Sequence, residues 1–268
     1  MLAAIVYSTA DTLVRLLPEP WIDVAARALG RVAYWADVPA RRVLERNLAR
    51  MESLAPQPLR TRAQRTFEQF ALVVTDFLRL GHLTHHELAN RIEMHGARHL
   101  AAARRSGRPC VIVSLHAGCW ELGVAYLAAQ GVPVRVLAQP HANAAVERFF
   151  RRRRAAWGIH PLDGSPLWRA ATDALRRGEW VAVMGDRSAP GERGDLDAWA
   201  IAIAKRTGAL VLPMGMTRLR GGRHAIWCEA PIDDPERLGQ VLHAALRRHL
   251  ARARGQWFAF APAPDGLA

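Results

Sequence analysis

The pattern of apolar and polar positions divides the chain into a helical N-terminal part and an alternating remainder. Up to about residue 105, apolar residues recur mainly at helical spacing, as they do over residues 59–80. Beyond that point, short apolar runs rich in β-branched residues alternate with helical segments. The runs that predict strands lie at 111–115, 133–138, 159–162, 180–184, 210–217, 224–230 and 257–261.

Strand–helix alternation of this kind is typical of a parallel sheet with helices on both faces. The runs 210–217 and 224–230 follow each other through a short polar loop, which predicts an antiparallel hairpin. We therefore expect an α/β fold whose central sheet is mixed but mostly parallel and is flanked by helices.

The N-terminal segment predicts two amphipathic helices. Residues 1–17 are rich in apolar side chains, but Asp11 and Arg15 interrupt them, so the stretch is too short and too charged for a membrane span. Residues 21–38 continue with apolar side chains at helical spacing and carry a tryptophan near each end. Such helices suit a membrane interface, and they equally suit a helix pair packed on the core.

Charge narrows the range of partners. The 268-residue chain has 37 Lys and Arg against 24 Asp and Glu, a formal net charge of +13 and a pI of about 11.2. Such an excess favours nucleic acid, anionic lipid, phosphorylated substrates or an acidic carrier protein. Because the arginines are scattered and not interleaved with aromatic residues, we expect no nucleic acid partner. A basic nucleic-acid-binding protein is nevertheless the first alternative to an enzyme, since it would explain the net charge directly.

A metal-dependent hydrolase is the second alternative. His116, His141, His160 and Asp186 stand near predicted strand ends where they could gather, but their spacing fits no usual pattern of metal ligands. The three cysteines also lack a metal-binding spacing, and their odd number suggests reduced thiols. We therefore expect no metal ion.

Residues 111–122 are the most informative stretch of the chain. An apolar run ends near His116, small residues follow, and Glu121 lies five positions after the histidine at the start of an apolar helical pattern. We expect His116 in the turn after a buried strand and Glu121 in the first turn of the next helix. There the carboxylate holds one ring nitrogen while the other faces a substrate, as acyl transfer requires. The alternative is a structural His–Glu pair.

Polar residues also follow two other predicted strands. Gln139 comes directly after the second run, and Asp186 and Arg187 come after the fourth. Because the carboxyl ends of parallel strands meet at one edge of a sheet, we expect these side chains to surround one site together with His116.

An ordered set of motifs carries a resemblance to a known family. The matching segments are Arg46-Asn47-Leu48, Asp76–Arg79, His116–Leu122 with the pattern H-x4-E, Phe149–Gly158, Gly185-Asp186-Arg187, Thr207–Pro213 and Gln256-Trp257-Phe258. Together they resemble the bacterial late lipid A acyltransferases, the lauroyl and myristoyl transferases of the wider glycerolipid and lysophospholipid acyltransferase superfamily. The resemblance covers about residues 40–260. We accordingly divide the chain into N-terminal helices, residues 1–45, and an acyltransferase domain of glycerolipid acyltransferase type, residues 46–268.

The resemblance implies a mechanism. His116 acts as general base on an acceptor hydroxyl, and Glu121 fixes the tautomer of its ring and stabilises the imidazolium. The alkoxide attacks an acyl thioester without a covalent acyl-enzyme. Backbone amides between Gly118 and Trp120 are the expected donors to the tetrahedral oxyanion.

The resemblance also implies substrate-binding residues and partners. Asp186 and Arg187 shape the substrate pocket, Arg187 and Arg151 contact phosphate, and Gln139 stands where the family usually has an arginine before proline. The implied co-substrate is a thioester of acyl carrier protein or coenzyme A, with no other cofactor. The implied acceptor is a lipid or glycolipid at an anionic membrane surface, on the cytoplasmic face of a bacterial inner membrane.

Overall fold

The computed structural model describes residues 2–52, 55–162, 166–187 and 195–263. The helices are α1 (Leu2–Leu16), α2 (Glu19–Ala36), α3 (Val38–Glu52), α4 (Pro56–Leu80), α5 (His85–Arg91), α6 (Ala97–Arg105), α7 (Trp120–Ala129), α8 (Ala144–Ala155), α9 (Leu167–Arg176), α10 (Leu196–Thr207) and α11 (Leu238–Arg252). The strands are β1 (Ile92–His95), β2 (Cys110–Ser114), β3 (Val134–Val136), β4 (His160–Pro161), β5 (Trp180–Met184), β6 (Leu210–Arg218) and β7 (His224–Cys228).

The described strands form one sheet in the order β1-β7-β6-β2-β5-β3-β4. The five strands from β6 to β4 in this order run parallel to one another, while β7 pairs antiparallel with β6 and β1 pairs parallel with β7. The predicted mixed, mostly parallel sheet and the predicted hairpin are therefore confirmed. The reversal comes from the short connection between β6 and β7, which leaves no room for a helical crossover.

Three predicted boundaries are corrected. Residues 257–261 form no strand, and only one bridge joins this segment, at Trp257, to Ala117. The strand predicted at 159–162 has two residues. The Asp234-Pro235 pair predicts a helix that starts at Asp234, but the last helix begins at Leu238. The Asp234 carboxylate accepts hydrogen bonds from the backbone N–H groups of Glu236 and Arg237 and holds a turn there.

The central strands are buried on both faces. Along β2, Val111 and Val113 belong to one apolar cluster, and Cys110 and Ile112 belong to the cluster on the other face of the sheet. This period-two division follows from strand geometry, and it explains why the run has no polar position before its end.

The N-terminal helices pack firmly on the rest of the chain. Gly30 of α2 is buried against α4, where an added Cβ would lie 2.6 Å from the Cα of Glu68. Asp23 of α2 pairs at 2.9 Å with the buried Arg218, which also bonds Asp76 of α4 at 2.7 Å. The sequence allows these helices either to lie at a membrane interface or to pack on the core, and the structure shows that they pack on the core.

The outer faces of the same helices are nonetheless apolar. Every large apolar side chain that the described residues leave exposed lies on α1, on α2 or in the turn between them: Ile5, Val6, Leu13, Leu16, Leu17, Trp21, Val24, Leu29, Val32 and Trp35. We call this set the outer apolar surface. Within the described ranges, no helix is long and apolar enough to span a membrane. The domain boundary predicted between residues 45 and 46 falls inside α3.

Candidate active site

The site is centred on a histidine and an aspartate at the ends of neighbouring strands. Ser114 of β2 and Met184 of β5 are register partners, and His116 and Asp186 each stand two residues further on. The Nδ1 atom of His116 lies 2.8 Å from Oδ1 of Asp186, and the backbone N–H of His116 donates to Oδ2 at 3.0 Å. The sheet register therefore sets the pair, as the convergence of strand ends predicts.

Asp186 is charged although it is fully buried. Burial raises the pKa of a carboxyl group, but the charge of the facing His116 ring, the hydrogen bond to that ring and the hydrogen bond from the Trp257 indole outweigh it. The pKa of Asp186 consequently lies below its ordinary value. A buried carboxylate with this partner fixes the tautomer of the ring, so that Nε2 is the nitrogen able to accept a proton.

Glu121 does not hold the His116 ring, and this corrects the role expected from the sequence. The Arg154 side chain of α8 binds both carboxylate oxygens of Glu121 through Nε, at 3.2 and 3.1 Å, and one of them through Nη2 at 2.5 Å. Both side chains are about nine-tenths buried. The physical reason is that α7 starts at Trp120, so that Glu121 in its first turn faces α8 and reaches a guanidinium there.

A cavity of about 670 Å³ opens beside the ring. Its apolar lining comes mainly from α4, α7 and α8, from the ends of β3 and β5 and from residues 261–262, and it includes Phe70, Val73, Val74, Phe77, Val124 and Phe150. Its polar lining includes His116, Glu121, Gln139, His141, Arg154 and Arg187. A cavity of this volume, mostly apolar with few polar groups, is typical of a site for a small molecule or a single lipid chain.

Arg187 and Trp120 complete the immediate surroundings of the ring. The Arg187 Nε lies 3.4 Å from Nδ1 of His116, and its Nη2 donates to the carbonyl of Phe258 at 3.3 Å. The Trp120 ring stands edge-on to the imidazole, with 5.1 Å between the ring centroids. Both side chains line the cavity, together with the expected Gln139.

Three of the expected substrate-binding residues do not line the cavity. Asp186 is fully buried and contacts the His116 ring in place of the substrate, and the other two, Gly118 and Arg151, lie elsewhere. Gly118 has a φ of +59°, and a Cβ there would lie 2.6 Å from the Met216 carbonyl oxygen. Its N–H donates to the Gln256 carbonyl at 3.2 Å, so this amide is not the oxyanion donor that we expected. Arg151 is on the exposed face of α8, 4.0 Å from Glu147, and is not part of the cavity lining.

Two residues of the site had no predicted role, although both stand in segments that carry the family resemblance. Arg154 lines the cavity where Arg151 was expected, and its position four residues before Gly158 is the one signal that distinguishes it from its neighbours. Trp257 contacts Asp186 from a distant segment, and no local pattern relates those two positions.

An imidazole–carboxylate pair that opens on an apolar cavity, at the edge of a mostly parallel sheet, is suited to general acid–base chemistry on a substrate with an apolar chain. The chain belongs to the bacterial lipid A biosynthesis acyltransferase family, whose model matches residues 2–262. The expected family is confirmed, and the protein is an acyltransferase of lipids.

Two relatives illustrate what this chain is similar to. The phosphatidylinositol mannoside acyltransferase of Mycolicibacterium smegmatis is 24% identical over 222 residues, which cover 78% of this chain and 72% of that protein. The solved structure of the 1-acyl-sn-glycerophosphate (LPA) acyltransferase PlsC of Thermotoga maritima is 16% identical, with a TM-score of 0.43. It covers 88% of this chain and 99% of its own.

Proposed function

We propose that the protein transfers a fatty acyl group from an acyl thioester to a hydroxyl group of a lipid or glycolipid, with His116 as general base and Asp186 as its orienting carboxylate. One observation carries the proposal. The Nδ1 atom of His116 is held at 2.8 Å by a fully buried carboxylate, while the ring keeps 22% of its surface exposed and borders a 670 Å³ apolar cavity.

The proposed reaction needs no covalent intermediate. The Nε2 atom of His116 takes the proton of the acceptor hydroxyl as its oxygen attacks the thioester carbonyl, and a C–O bond forms. The tetrahedral oxyanion then collapses, the C–S bond breaks, and the thiolate leaves with the proton from the imidazolium. Asp186 stabilises the imidazolium between these two steps, because its negative charge lies 2.8 Å from the ring.

Arg187 supplies positive charge where anions approach the ring. Its guanidinium lies 3.4 Å from the imidazole and borders the cavity. Since the Gly118 amide is taken by Gln256, we assign Arg187 to the oxyanion or to a phosphate of the substrate. The Arg154–Glu121 pair forms a charged part of the cavity wall, and the apolar part receives the acyl chain.

The acceptor and the membrane are part of the same proposal. The relative from Mycolicibacterium smegmatis is named for a mannosylated phosphatidylinositol, which supports a glycolipid acceptor here. The outer apolar surface and the net charge of +13 support binding to an anionic membrane, and we place the enzyme on the cytoplasmic face of the inner membrane. Exposed arginines on α8, such as Arg148 and Arg152, suit the phosphates of coenzyme A or an acidic carrier protein.

The test measures thiol release from long-chain acyl-coenzyme A and from acyl carrier protein, with and without a lysophospholipid or glycolipid acceptor. Release that depends on acceptor and falls by about 10²–10⁴-fold in His116→Ala supports the proposal. His160→Ala is the matched control, because that histidine is exposed on β4 away from the cavity. Unchanged turnover in His116→Ala overturns the proposal, as does thiol release that needs no acceptor.

A further inference from the structure

The segment Gln256–Phe258 pairs with the turn that carries the histidine. Trp257 and Ala117 form an antiparallel bridge. On either side of it, the Phe258 N–H donates to the His116 carbonyl at 2.7 Å, and the Gly118 N–H donates to the Gln256 carbonyl at 3.2 Å. The backbone around the proposed base is therefore held by a part of the chain about 140 residues away in sequence.

The same segment reaches the carboxylate. The Trp257 indole N–H donates to Oδ2 of Asp186 at 2.9 Å, and both side chains are buried. That oxygen also accepts the His116 backbone N–H, while Oδ1 faces the ring. The carboxylate is thus turned so that one oxygen serves the imidazole and the other is occupied by two N–H donors.

Both ends of the segment are anchored. The Gln256 side chain exchanges two hydrogen bonds with the backbone of Arg218 on β6, at 2.6 and 2.8 Å. The Asn47 amide of α3 donates to the carbonyls of Ala259 and Ala261, at 2.9 and 2.8 Å. These anchors fix the position of the indole, and the hydrogen bond from its N–H in turn fixes the orientation of the Asp186 carboxylate.

We propose that Trp257 is a positioning residue of the acyl transfer, whose indole N–H holds the Asp186 carboxylate against the His116 ring. The inference rests on the proposed function, because it gives Trp257 a role only if His116 is the base. The aromatic ring of Trp257 fills space in the core, and its N–H is the part of the side chain that bonds the carboxylate. It acts there together with the backbone N–H and the ring of His116. Without that donor the carboxylate has one partner fewer in a buried place, and it binds a proton more readily.

The test compares Trp257→Phe with Trp157→Phe. Trp157 is also a buried tryptophan, and its indole donates to the neutral Leu80 carbonyl at 2.9 Å. Its substitution therefore removes the same kind of ring and one buried hydrogen bond, away from the cavity and from the carboxylate. We expect kcat of Trp257→Phe to fall roughly 10–100-fold with KM unchanged, since the lost hydrogen bond is to a charged group. We expect kcat of Trp157→Phe to stay within about threefold of the parent, since nothing at the dyad changes.

The pH profile separates positioning from packing. A carboxylate that is less stabilised by its donors attracts the imidazolium proton more strongly, so the acid limb of kcat moves to higher pH in Trp257→Phe and stays in place in Trp157→Phe. If Trp257→Phe does not fold, benzothienylalanine at position 257 replaces the N–H by sulfur and keeps the ring shape.

The outcomes of these experiments distinguish the role of Trp257 from the proposed function of the protein. A lower kcat with a displaced acid limb supports the role of Trp257. An unchanged kcat and pH profile, or equal losses in the two tryptophan variants, overturns it while His116→Ala is still inactive. Full activity in His116→Ala instead overturns the proposed function itself.

Discussion

The carboxylate of Glu121 is bound by Arg154 and not by His116, although Glu121 lies only five positions after the histidine. All the hydrogen bonds from the guanidinium to Glu121 run between side chains about nine-tenths buried, and the Asp186 carboxylate takes the place beside the ring. In a buried ion pair, removing one partner leaves the other charge buried and unpaired, and this unpaired charge carries a large desolvation penalty. Glu121 and Arg154 therefore form one unit of the cavity wall.

This relationship predicts strong non-additivity in stability. Glu121→Met and Arg154→Met should each lower the free energy of unfolding by about 3 kcal/mol, because each leaves one buried charge without its partner. The double variant should lose far less than the sum of the two, since it leaves no charge behind. Urea denaturation of the four proteins measures the cycle. Additive losses would show that the two side chains act independently.

Asp186→Asn should be nearly inactive, because the hydrogen bonds around this position determine how the asparagine amide is oriented. One carboxylate oxygen accepts two N–H groups, from the His116 backbone and from Trp257, so an asparagine must place its carbonyl oxygen there. Its NH₂ group then points at Nδ1 and donates to it, which moves the ring proton to Nε2 and removes the base. Turnover should fall by about 10²–10⁴-fold.

The control for this substitution is Asp197→Asn. That aspartate is also buried and also bonds a histidine, His243, at 2.7 Å, but neither side chain lines the cavity. Turnover of Asp197→Asn should stay near that of the parent. Normal turnover in Asp186→Asn would remove Asp186 from the mechanism and reopen the case for Glu121.

The sequence predicts the sheet well and the partner of the histidine badly. Strand periodicity and the order of the runs are local properties, and they bring His116, Gln139 and Arg187 to one cavity, with Asp186 buried beside the histidine. The H-x4-E spacing is also local, but which carboxylate meets the ring depends on the direction in which α7 leaves its turn. Gly118 lies in that turn, packed against Met216 and hydrogen-bonded to Gln256, and no local pattern reveals these distant partners.

His224 should make the protein less stable in acid. Its side chain is fully buried, its ring nitrogens have no hydrogen-bond partner among the described residues, and Nε2 lies 3.4 Å from Oδ2 of Asp76. Burial, and then the positive charges of Arg218, Arg91 and Arg79, lower the pKa of His224 to about 3. Between about pH 6.5 and pH 3 the unfolded chain therefore binds one more proton at this residue than the folded protein does.

The free energy of unfolding should fall through this range, and His224 contributes at most about 1.4 kcal/mol per pH unit. His224→Leu removes the titrating group and keeps the side chain apolar, so it should flatten the dependence of stability on pH between 6 and 4. Urea denaturation at several pH values measures both proteins. Parallel curves for the two would show that His224 does not titrate differently on unfolding.

The outer apolar surface should bind anionic membranes. Trp21 and Val24 lie one helical turn apart on α2 and are 74% and 69% exposed, so Trp21→Ser/Val24→Ser removes apolar area from this surface without touching the core. We expect binding to phosphatidylglycerol-containing vesicles, measured by flotation, to weaken by about tenfold or more, since two apolar side chains lose contact with lipid.

Deleting the helices is a poorer test, because Asp23 on α2 neutralises the buried Arg218. Trp168→Ser, which removes a half-buried tryptophan from α9, is the control and should bind as the parent does. Equal flotation of the parent and the double variant would place the membrane contact elsewhere on the protein.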